Sequence, residues 1–130
     1  MEMPAPVRRF ERLFLGSLLL GLVLAVLDWD RLTAGLAPRE TTVSVATLLA
    51  IVAVVVGLVL LASRRRSSIA RWVVTVMVIL GMLGTVPTVL DDFRHAAAIG
   101  LLSLAQAAMQ LWAVWLLHVP AAKPWYARGA

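Results

Sequence analysis

Asp91, Asp92 and His95 form the densest set of ionisable side chains in this sequence. Two carboxylates and an imidazole could hold a divalent cation. The same residues also suit the start of a helix, where acids favour the dipole and cap free N–H groups. They directly precede an apolar run, so the capping reading is preferred and no metal is assigned. A second set, Ser103, Gln106 and Gln110, shares one face of that run. It could line a path for a neutral solute. It could equally form hydrogen bonds between helices, worth roughly 0.5–2 kcal/mol each. Packing is the preferred role.

Other chemistry is missing from the sequence. It has no Ser-His-Asp set, no Gly-rich phosphate loop and no zincin helix. The absence of cysteine removes disulfides, thiolate catalysis and cysteine-ligated metal. No enzyme activity and no cofactor are expected. A lone His118 reads as an interfacial residue. Ion-coupled transporters place a titrating group within the membrane. Small multidrug exporters share this length but depend on a glutamate in their first span, and Leu13–Leu27 has none.

The elements that would carry these residues are four uncharged apolar stretches, Leu13–Leu27, Thr41–Ser63, Trp72–Leu90 and Ala96–Ala122. A helix crosses a bilayer with about 20 apolar residues. The chain has 130 residues, 62% hydrophobic and 15% charged, more apolar surface than a soluble domain of this size could hide. The expected fold is an all-α membrane protein, an antiparallel bundle of four transmembrane helices over about 10–28, 41–63, 70–90 and 95–119. The first stretch follows Arg8, Arg9 and Arg12 like a signal peptide. It lacks a good cleavage region, so it reads as a retained span.

Charge gives orientation. Nine of the twelve basic residues fall at the N-terminus, in the middle gap around Arg64, Arg65, Arg66 and Arg71, and at the C-terminus. Basic residues collect on the cytoplasmic side, so both termini are expected there. Five of the seven acids fall on the other side. Arg64, Arg65 and Arg66 are expected to contact anionic headgroups. The net charge of +5 is dispersed at membrane borders, so nucleic acid is not an expected partner. Gly35 and Pro38 mark turns in the longest connection, and Pro38 should end any helical continuation. Gly81, Gly84 and Pro87 recur every three residues, and Pro87 should bend its helix.

Helices in lipid associate through small residues. Ala46, Ala50, Ala53 and Gly57 fall on one face of the second span, and Ser17 and Gly21 on one side of the first. These faces are expected to pack within the bundle. A shift of 63 residues aligns Gly21 with Gly84, Asp28 with Asp91 and Arg31 with Arg94. Each copy then places Asp and Arg three apart, where they could pair. Duplicated hairpins would explain this, though spans that merely end in polar residues would look similar.

The tail Leu116-Leu117-His118-Val119-Pro120-Ala121-Ala122-Lys123-Pro124-Trp125-Tyr126 resembles the endings of small bacterial four-helix inner-membrane proteins. The resemblance implies an inner-membrane location and brings no activity with it. The aromatic pair would then sit at the headgroups. The expectation is a non-enzymatic integral membrane protein, forming an oligomer or serving a membrane complex. A small channel or transporter for a neutral or hydrophobic solute is the alternative.

Overall fold

The computed structural model describes residues 2–128, and within them all regular secondary structure is helical. Four helices are long: α1 (Ala5–Leu27), α3 (Pro38–Ser63), α4 (Ser68–His95) and α5 (Ala97–His118). A single turn, α2 (Trp29–Leu32), follows α1. A 3-10 turn (Pro120–Ala122) and α6 (Lys123–Ala127) close the chain. The long helices have 22 to 28 residues. At 1.5 Å per residue that is about 33–42 Å, enough to cross a hydrocarbon layer. All four are long and apolar enough to cross a membrane.

The helices run further than their apolar cores. The backbone of α1 starts at Ala5, with Pro6 in its first turn, where a missing N–H costs nothing. Arg8, Glu11 and Arg12 interrupt the hydropathy and leave the helix intact. Pro38 does not end a helix; it opens α3, and Glu40 Oε2 accepts the Ala37 N–H at 2.9 Å. The turn before it uses Gly35 at φ +74. Ser67 caps α4 by accepting the Ala70 N–H at 3.1 Å. Helix α4 passes through Pro87 unbroken. The Thr85 hydroxyl donates to the Gly81 carbonyl at 2.8 Å, and Thr88 to the Thr85 carbonyl at 2.9 Å, so both hydroxyls fold back on the helix on either side of the proline. Val119 is extended, as a residue before proline prefers, so α5 stops at His118.

Helix α1 packs most extensively on α5, and α5 in turn on α4. Helix α3 touches α4 and α1 more sparingly. The buried core lies toward the arginine-rich end. Phe10 and Phe14 of α1, Val59 of α3, Val74 of α4 and Leu117 of α5 meet there, and Trp125 and Tyr126 fold in beneath them. Toward the opposite end α3 and α4 are mostly uncovered. A Cβ added at Gly57, Gly81 or Gly84 would meet nothing within 4 Å.

Candidate functional site

Polar side chains concentrate at the two ends of the helices. At the acidic end, Arg31 binds Asp28 at 2.7 Å and also donates to Asp92. Asp28 and Asp92 are largely buried, so the guanidinium neutralises two carboxylates that have little water. These hydrogen bonds, first that to Asp92, hold Arg31 above its ordinary range. Ser103 Oγ donates to Asp92 Oδ2 at 2.8 Å, which ties α5 to α4. His95 Nε2 stands 3.6 Å from Asp28 Oδ1. Asp91 pairs with Arg94 at 3.3 Å.

This arrangement changes the reading of the acidic cluster. Asp91 and Asp92 occupy the last turn of α4 and do not cap α5, whose N-cap is Ala96, with no side-chain hydrogen bond. Helix propensity carries α4 four residues past Asp91, and one extended residue suffices for the reversal. Asp91, Asp92 and His95 each face a different partner, and no metal-binding group occurs among the described residues. The two Asp–Arg pairs three apart, Asp28–Arg31 and Asp91–Arg94, both form.

At the basic end, Glu11 accepts from Arg64 Nη2 at 2.9 Å and Nε at 3.2 Å, and from Ser63 Oγ at 2.6 Å. The pairing with Glu11 raises Arg64 above its usual range. Glu11 is the lone acid of α1, and its helical position facing the end of α3 made this pair legible in principle. Arg64 is therefore paired within the chain while its side chain stays exposed. Arg66 lies over the Trp125 ring at 4.2 Å. Arg65 is exposed.

The aromatic tail is also placed differently from expectation. Trp125 and Tyr126 are 4% and 2% exposed, so they do not stand at a lipid surface. Trp125 Nε1 donates to the Ser63 carbonyl at 2.9 Å, and Arg71 stacks on Tyr126 at 4.5 Å. Arginines above both rings make the inward position favourable. Trp72 and Trp115 do stay exposed at this end. The Thr75 hydroxyl donates to the Arg71 carbonyl, so His118 Nε2 at 2.9 Å is the donor to Thr75 Oγ1.

Small and polar faces divide. Ser17 is buried and donates to the Phe14 carbonyl at 2.7 Å. Gln106 covers Gly21, where an added Cβ would lie 2.5 Å from its amide nitrogen. Gly100, which the sequence did not single out, lies under the Phe93 ring. The face Ala46, Ala50, Ala53 and Gly57 is exposed throughout, and a Cβ added at Gly57 would meet nothing within 4 Å. Helix α3 turns Val55, Val59 and Ala62 inward instead, into the core that also holds Phe10 and Val74. Gln110 is half-buried, and Ser103 is already engaged by Asp92. No protein-family model matches the chain, and no curated protein or solved structure matches it.

Proposed function

We propose that the chain is a small multi-pass membrane protein without enzymatic activity that works by helix association, forming an oligomer of itself or joining a membrane complex. Its four helices would form an antiparallel bundle in a bacterial inner membrane, with both termini cytoplasmic. Membrane insertion is supported by exposure: within each apolar window only 17% of residues are buried. In water that surface would drive aggregation.

The observation that carries the association reading is the uncovered face of α3. Ala46, Ala50, Ala53 and Gly57 spend small residues on a surface where leucine would serve equally well against lipid. The transporter alternative has less behind it, because Ser103 is taken by Asp92 and Gln106 is spread over Gly21.

The test is the oligomeric state in lipid nanodiscs of the parent and of Ala50→Leu/Ala53→Leu. The parent should carry more than one copy or a co-purified protein. The variant should lose that association at unchanged melting temperature, since the face is not part of the chain's own core. A parent that is monomeric and alone would contradict the proposal.

A further inference from the structure

A pocket of about 360 Å³ opens at the basic end between the start of α4 and the tail. Ser68, Arg71, Trp72, His118, Lys123 and Tyr126 line it, and among the described residues no carboxylate does. Tyr126 is 2% exposed, and its hydroxyl has no hydrogen-bond partner among the described residues. The same holds for buried Arg71 Nε. Leaving two buried donors unpaired is costly. Lys123 adds an exposed ammonium. At the start of α4 the Ala70 N–H is already taken by Ser67 Oγ, and the positive end of the helix dipole lies beside Ser68. The complement of such a set of donors is an acceptor-rich anion.

Trp72 also borders a second cavity of about 480 Å³, an open groove lined by Trp72, Val73, Val76, Met77 and Leu80. These residues share one side of α4 and follow it for about 12 Å. A polar pocket and an apolar groove thus meet at a single tryptophan, at the level where Trp72 would stand at a membrane border.

We infer that this composite cavity binds one anionic glycerophospholipid, its phosphate among Arg71, Lys123, Ser68 and Tyr126 and an acyl chain along Val73, Val76 and Leu80. Free phosphate would need the pocket alone; the adjoining groove favours the lipid. The binding is distinct from diffuse attraction to the Arg64–Arg66 loop, since it uses buried donors and a shaped apolar surface.

The inference rests on membrane insertion, which alkaline carbonate extraction of native membranes tests by itself. Release of the protein would refute insertion. For the site, native mass spectrometry would count lipids retained by the parent and by Lys123→Gln, Tyr126→Phe and Val76→Trp from equimolar phosphatidylglycerol and phosphatidylcholine. The parent should prefer phosphatidylglycerol. Lys123→Gln should lower its retention about fivefold, the loss of one headgroup charge contact. Tyr126→Phe, which removes only an unpaired hydroxyl, and Val76→Trp, which fills the groove, should lower it as well. Melting temperatures of the variants show that they are folded. An equal preference for both lipids, or variants that retain phosphatidylglycerol like the parent, would overturn the site. Should glycerol 1-phosphate stabilise the parent as strongly as the lipid, with Val76→Trp indifferent, the ligand is a soluble phosphate and the lipid assignment fails.

Discussion

The indole of Trp125 donates to the carbonyl of Ser63 across 2.9 Å, so the tail of the chain closes the end of α3. Ser63 is the last residue of α3, and carbonyls there have no partner within the helix. Arg66 covers the same indole from the connection that follows.

Truncating this residue tests how far the tail holds the basic end together. Trp125→Ala should cost about 3–5 kcal/mol of stability in detergent, the usual range for a buried aromatic. Trp125→Phe should cost about 1 kcal/mol, since it keeps the packing and loses one hydrogen bond. Thermal unfolding followed by circular dichroism measures both. A tail lying on lipid would show almost no change in either.

The glycines divide by their surroundings. A Cβ at Gly100 would come within 2.5–2.7 Å of the Phe93 ring. Gly100→Ala should therefore destabilise by about 1–3 kcal/mol. Gly57→Ala, Gly81→Ala and Gly84→Ala add a methyl to open space and should be neutral or gain up to about 1 kcal/mol of helix propensity. A loss at Gly81 or Gly84 measured on the monomer would place another helix against α4.

Tyr126 is the one tyrosine of the sequence, so phenolate absorbance reports it alone. Burial raises its pKa, with Arg71 opposing in part. The folded state thus holds the proton more tightly than the unfolded state, whose pKa is about 10. The stabilisation is complete below pH 10 and is lost as pH rises toward the higher folded value. The folded protein should resist ionisation well above pH 10, and denatured protein should titrate near it. In Tyr126→Phe the alkaline loss of stability should shrink. Titration of folded protein at the ordinary tyrosine value would show the ring exposed.

Gln106→Leu with Gln110→Leu separates packing from transport. As packing residues they should cost about 0.5–2 kcal/mol each and change no permeability. Solute-dependent swelling of liposomes carrying the parent, abolished in the double variant, would restore the path reading.

Much of the fold was legible in the sequence because an uncharged run of this length has few alternatives to a helix. The ends were less so. Hydropathy registers Arg8, Glu11 and Arg12 as an interruption, yet helix backbone accepts them, and α1 begins at Ala5. Asp91 and Asp92 looked like a helix start, but a chain can reverse at one residue, and Ala96 does so. Periodicity located the face of Ala46, Ala50, Ala53 and Gly57 without saying which side of α3 met the bundle. Trp125 and Tyr126 would read identically whether they faced lipid or Arg66 and Arg71. The donors of the basic pocket belong to no motif, since Arg71 lies some fifty residues from Lys123 and Tyr126 in sequence.

The membrane reading is the claim on which the rest depends, and two single cysteines test it most directly. The chain has none of its own. Ser67 caps α4 and Thr33 bonds the Trp29 carbonyl, so exposed Arg65 and Ala34 are the better positions. In intact cells an impermeant thiol reagent should label Ala34→Cys and spare Arg65→Cys, which should react only after the membrane is opened. Labelling of both from the same side would contradict the four-span account.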